Sequence, residues 1–222
     1  SDKRLMLVEA EFAALLRVLR REGNTLSPVL RLAWESGILR TLTKNSPTGV
    51  KGAHVSFIGH VTDEELRKYL DRSECGNGFA NRFLWVAVRR SKCLPEGGYL
   101  DDEAFADLTP RLTEALTFAN SDRRVKRDDA AKKLWAAIYP ELSEQKPGLA
   151  GALTQRGVAQ VMRLALIYAL LDCESTIGVP HLTAAIALWE YCERSVAWCF
   201  GDALGDEIAD TISLNLDYGA LM

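Results

Sequence analysis

Nowhere in the 222 residues is there a glycine-rich phosphate cradle of the form G-x-x-x-x-G-K-[S/T]. Gly97-Gly98 and the glycines at 148 and 151 stand without the lysine such a loop needs. The expectation is that these residues alone do not hydrolyse ATP efficiently. Histidine is scarce, at three, and none has ligand spacing to a cysteine, which argues against a zinc site. The five cysteines, Cys75, Cys93, Cys173, Cys192 and Cys199, are odd in number and contain no CxxC pair. They are expected to be mostly small core residues of a protein in a reduced cytoplasm, not a disulfide framework. Apolar stretches are interrupted by charge well short of the roughly 18 residues of a membrane span, and no signal-peptide pattern occurs, so no membrane partner is expected. Neither sign of charge dominates: 27 basic against 30 acidic residues give a net charge of −3. That balance excludes a wholly basic nucleic-acid coat while leaving room for local basic patches. There is no internal repeat and no low-complexity segment.

What is present is ordinary globular composition, 48% hydrophobic and 26% charged, with enough chain for one large domain or two small ones. The chain opens Ser-Asp-Lys-Arg, without methionine, directly before an apolar run, and it stops soon after a helical pattern. It is therefore expected to be a piece of a longer protein. The run Leu5-Met6-Leu7-Val8 leads into Glu9 and Glu11. Continuous apolar sequence of this length predicts a strand buried on both faces, as in a parallel sheet, with acids at the end where open α/β sheets place ligands. The competing reading is a buried strand followed by the acidic first turn of a helix.

Downstream, helical spacing predicts one helix over Glu9 to Arg21, and a second with Ser27 as N-cap and Pro28 at its first position. Residues 39 to 52 read as a long loop or loose hairpin with a basic bias from Arg40, Lys44 and Lys51. His54 to Gly59 reads as a second buried strand, Thr62 as the cap of a helix over Asp63 to Leu70, and Arg82 to Val88 as a third strand after a turn at Asn77–Asn81. Pro95-Glu96-Gly97-Gly98 is the strongest linker signal. Beyond it the pattern turns helical over 101–120, 124–144, 149–171 and 180–200, with a last amphipathic segment over 205–216. The fold class expected is α/β: a partial parallel sheet with flanking helices over 1–95, a helical region over 99–201, and the start of a further module over 202–222.

The order of these pieces resembles the second half of a RecA-like P-loop ATPase, and more closely the primase–helicase ATPases of phages, plasmids and integrated elements. The residues that carry the resemblance are Leu5 to Glu11, Leu26-Ser27-Pro28-Val29-Leu30, a turn at Ala33-Trp34-Glu35-Ser36-Gly37, Gly52-Ala53-His54-Val55-Ser56, and Asn77-Gly78-Phe79-Ala80-Asn81-Arg82-Phe83. The likeness covers residues 3 to 92 well and the helices over 150–201 more weakly. It implies a helical lid, ATP and Mg²⁺ as cofactors, single-stranded DNA as partner and a homo-oligomeric ring. It further implies Glu9 as the metal-site acid and Glu11 as the water-orienting acid. The family has an Asp or paired acids here, and the Glu9-Ala10-Glu11 spacing leaves that division open. On a strand the two carboxylates share a face; on a helix they diverge.

By the same resemblance His60 is a γ-phosphate sensor or a residue coupled to the DNA loop, against a structural hydrogen-bonder. Arg82 is an arginine finger acting on a neighbouring subunit, against a surface arginine opening a strand. Arg40, Lys44 and Lys51 form a DNA-gripping loop, against solvated charge. Arg156 or Arg163 is the lid arginine that reaches the nucleotide, against a helix-surface arginine. The alternative to a motor is a catalytically silent P-loop-like module that binds nucleic acid or protein.

Overall fold

The computed structural model describes residues 2–41, 48–98, 102–121 and 124–201. The expected first strand is present as β1 (Arg4–Glu9), but it is not buried. Leu5, Met6 and Val8 are 52%, 61% and 64% exposed. The reason is that β1 pairs with one strand, β4 (His54–Gly59), in a sheet of two. The pairing is parallel, Arg4 opposite His54 and Glu9 opposite Gly59. Between them come α1 (Phe12–Leu19), α2 (Leu26–Glu35) and an antiparallel hairpin of β2 (Leu39–Thr41) with β3 (Thr48–Val50). A parallel pair needs such a crossover, since a tight turn cannot return the chain in the same direction.

Helix α1 begins at Phe12, not at Glu9, because the strand ladder holds the backbone as far as Glu9. Its apolar stripe of Phe12, Ala13, Leu16 and Leu19 is buried. Helix α2 is capped at Thr25, and Ser27, expected as the cap, is instead buried and donates its hydroxyl to Glu74 Oε2. Trp34 and Glu35, expected in a turn, lie in the last turn of α2. Helix α3 (Asp63–Tyr69) starts as expected: Thr62 Oγ1 accepts from the Glu65 amide at 3.2 Å, and acids fill the first turn.

Helix α4 (Arg72–Gly76) and a 3₁₀ turn at Ala80–Arg82 follow. Of residues 82–88, expected as a third strand, Arg82 ends the 3₁₀ turn and the rest carry no strand pairing. Phe83 turns into an aromatic cluster with Phe12, Phe57 and Phe79, ring centroids 5.0–5.7 Å apart, which aligns it to a core and not to a ladder.

The remaining helices are α5 (Asp102–Ala106), α6 (Leu108–Ala119), α7 (Asp129–Ser143), α8 (Gly148–Thr154), α9 (Gly157–Leu171) and α10 (Val179–Phe200). The helix expected over 149–171 is broken between Thr154 and Gly157. Two short strands, β5 (Lys126–Arg127) and β6 (Thr176–Ile177), pair in parallel. The protein is thus mixed α/β, mainly helical, with small parallel sheets.

Two compact units divide the described residues. The first holds 2–83, 146–154 and 199–201; the second holds 84–145 and 155–198. The division falls after Phe83, the Pro95–Gly98 stretch lies inside the second unit, and α8 belongs to the first, where it packs on α4 and the 3₁₀ turn. The second unit has its own core, centred on Val161, Ala165, Leu182, Ala185 and Trp189. Cys75, Cys192 and Cys199 are buried, whereas Cys93 is exposed. Burial pushes the Cys75 thiol up to about 12 and the Cys192 thiol up to about 11, which keeps both unreactive. No helix among the described residues is long and apolar enough to cross a membrane.

Candidate functional site

The ends of β1 and β4 meet. Glu9 lies opposite Gly59, the His60 amide donates to the Glu9 carbonyl at 2.9 Å, and the Phe12 amide donates to the His60 carbonyl at 2.8 Å. This ladder carries both chains past the last paired residues and into the helices that follow. Gly59 is required here by close approach. A Cβ at this position would stand 2.8 Å from Phe12 Cδ2 and 2.9 Å from Phe57 Cε1, so any side chain would lift the aromatic pair from beneath the strand end. The carboxyl edge therefore presents Glu9, half-buried, beside Glu11 and His60, both exposed.

Glu9 is partly committed: its Oε1 accepts from the Glu11 amide at 3.1 Å. That is the bond of a carboxylate serving the start of a helix, the competing reading of the sequence, and it leaves Oε2 uncommitted. Glu11 stands at the N-cap of α1 with no side-chain cap bond. The His60 imidazole has no hydrogen-bond partner among the described residues. No group of three or more His, Cys, Asp or Glu that could hold a metal ion occurs among the described residues. A single carboxylate nonetheless fits Mg²⁺, which keeps several waters and takes its other ligands from phosphates.

Arg82 is held firmly within its own unit. Its side chain is 9% exposed; Nη2 binds Glu35 Oε1 at 2.6 Å, Nη1 donates to the Gly78 carbonyl, and the guanidinium lies over Trp34, 5.5 Å from the centroid. Gly78, at φ +85, permits this: a Cβ there would come within 2.9 Å of Arg82 Nη1. The Asn77 side chain closes the turn by accepting from the Phe79 amide at 2.9 Å, and Asn81, buried, donates to the Ala152 carbonyl. Glu35 and Trp34 are the residues that sequence reasoning missed. Glu35 is 47 positions from Arg82, and no local periodicity links the two.

The basic segment is a hairpin. Its base is fixed by the Ala53 amide donating to the Gly37 carbonyl at 2.9 Å. Arg40 lies opposite Gly49, and Arg40 and Lys51 are both exposed. Lys44 lies outside the described residues. Arg156 and Arg163 belong to the second unit, Arg156 half-buried at the N-cap of α9 and Arg163 exposed two turns along. The structure thus brings Glu9, Glu11 and His60 to one sheet edge and anchors Arg82 by an internal ion pair.

No protein-family model matches the chain, and no curated protein matches it.

Proposed function

We propose that the chain supplies the acid-bearing strand end and the sensor strand of an ATP-dependent DNA motor of the primase–helicase type found in mobile elements. The observation that carries this reading is the parallel pairing of β1 with β4, which sets Glu9 and His60 at neighbouring strand ends. The carboxyl edge of such a pair is where nucleotide chemistry gathers in open α/β folds. In this reading β1 and β4 belong to a RecA-like sheet and the helical second unit is its lid. Glu9 would hold Mg²⁺, Glu11 would orient the attacking water, and His60 would donate to a phosphate oxygen. Mg²⁺, when bound, offsets charge on the phosphates. Arg82 is the arginine of a ring-shaped homo-oligomer, Arg156 or Arg163 is the nucleotide-contacting arginine of the helical region, and Arg40, Lys44 and Lys51 contact single-stranded DNA. These 222 residues hold no G-x-x-x-x-G-K-[S/T] loop, so this reading requires a phosphate cradle supplied from elsewhere.

The test is ATP turnover by the polypeptide that carries a G-x-x-x-x-G-K-[S/T] loop ahead of this chain. Glu9→Gln is expected to lower turnover by about a hundredfold or more while leaving far-ultraviolet circular dichroism unchanged. Turnover within a few-fold of wild type would sink the assignment of Glu9.

Two observations favour a second reading, a silent module of P-loop-like shape. The Glu9 carboxylate serves the Glu11 amide, and Arg82 is spent on Glu35 and Trp34. Absence of any G-x-x-x-x-G-K-[S/T] loop from the parent reading frame would decide for it.

A further inference from the structure

Three cationic side chains converge on one aromatic ring in the first unit. The Arg17 guanidinium lies 5.1 Å from the centroid of Tyr69, Lys68 Nζ 5.3 Å and the Arg20 guanidinium 5.8 Å. Arg17 and Arg20 stand three residues apart on the α1 side, Lys68 and Tyr69 at the end of α3, and the two helices pack together. We propose that this cluster is a platform for the phosphodiester backbone of single-stranded nucleic acid.

The helix dipole favours a cation at each helix end, but it does not account for three of them around one ring. At such separations, within a Debye length of one another, like charges repel. Neighbouring acids offset them only in part. Asp71 pairs with Arg20 at 3.9 Å, and its carboxylate also accepts from the Ser73 amide at 2.8 Å. Asp63 is taken by Arg67 at 3.3 Å. Arg17 donates to the Ala13 carbonyl at 3.3 Å, and Arg20 to the Lys68 carbonyl at 2.8 Å. Among the described residues neither Arg17 nor Lys68 has a carboxylate partner. In a protein of net charge −3, Arg17 and Lys68 thus present exposed donors with no carboxylate partner among the described residues, beside an Arg20 that Asp71 offsets in part.

The ring and the two carbonyl bonds hold long side chains in place before a ligand arrives, which lowers the ordering cost of binding. Arginine forks and a lysine point charge suit phosphate oxygens. An aromatic among them is the make-up of sequence-independent single-strand surfaces. The inference is independent of Glu9, His60 and ATP.

The experiment is fluorescence anisotropy of a labelled oligothymidylate with the present chain, without nucleotide, over a series of salt concentrations. The variant R17Q/R20Q/K68Q is expected to weaken binding about tenfold or more at low salt. It should also flatten the slope of log K against log[salt] by about 2, at about 0.7 per lost phosphate contact. Tyr69→Leu, which keeps the charges but frees them, should weaken binding with the slope retained. Arg17→Gln and Lys68→Gln alone, each flattening the slope by about 0.7, serve if the triple variant does not fold. Wild-type protein that does not bind the oligonucleotide overturns the proposal, as does a set of variants with unchanged affinity and slope. Displacement by polyglutamate at equal charge also overturns it, in favour of an acidic peptide. The assay contains no nucleotide and its variants lie outside Glu9, Glu11 and His60, so failure of the motor reading and failure of this one are told apart.

Discussion

Arg82 shows how a single side chain sets the meaning of a turn. Its charge is met by Glu35, its flank by Trp34, and its approach by the missing Cβ of Gly78. Removing the partner charge should therefore cost stability irrespective of any role on a nucleotide. Glu35→Gln is expected to lower unfolding free energy by up to about 1.5–3 kcal/mol, the range for hydrogen bonds to charged groups, read as a lower urea midpoint at unchanged slope. Arg82→Ala should lose at least as much. If Glu35→Gln leaves the midpoint in place, Arg82 is held by Trp34 and Gly78 alone. At this scale the sequence was half legible. The acids after an apolar run and the histidine after a second strand could be placed at one edge from pattern, because strand ends follow from local residues. The Arg82–Glu35 pair could not, since it joins segments distant along the chain.

Among the elements, those whose signals are local form where their patterns predict, although neither β1 nor β4 is buried as its apolar run predicts. Strands β1 and β4 follow from apolar runs, and α3 from Thr62 ahead of three acids. Ser27 resembles a cap in sequence but lies inside α2, and its bond to Glu74 arises only in the folded state. Strands β5 and β6, of two residues each, leave no periodicity to detect. Helix α4 offers a test of a cap. Asp71 accepts from the Ser73 amide, and this bond, then the Ser73 side chain, holds its carboxyl below the usual 3.8, with Arg20 and Arg72 adding to the effect. A lowered folded-state value means that the stabilisation is fully present above pH 3.8 and is lost as pH falls through the folded value. Asp71→Asn keeps a capping oxygen without the charge. The advantage of wild type over Asp71→Asn, measured as a difference in urea midpoints, should be complete at pH 7, begin to fall near pH 3.8 and be lost as pH drops through the lower folded value. A difference that persists at lower pH would assign the effect to geometry.

For the molecule as a whole, each unit has a separate apolar centre: the Phe12, Phe57, Phe79 and Phe83 rings in one, and the Val161–Trp189 cluster in the other. Trp189, 3% exposed, is the largest of the buried side chains in the second. Trp189→Ala is expected to cost about 3–5 kcal/mol there. Hydrogen exchange should accelerate in α9 and α10 while the amides of β1 and β4 keep their protection; equal acceleration in both would show one cooperative core.

The pairing of Arg4 with His54 also bears on how the chain reaches this state. Neighbours in that ladder are separated by fifty positions, and the intervening loop must close before any of its bonds can form. The helices and the hairpin between them close on local contacts and form sooner. The strand pair that gathers Glu9 and His60 is therefore expected to assemble late in folding. Val55→Ala should then speed unfolding while leaving the refolding rate nearly unchanged, and a matching slowdown in refolding would place the ladder in the nucleus instead.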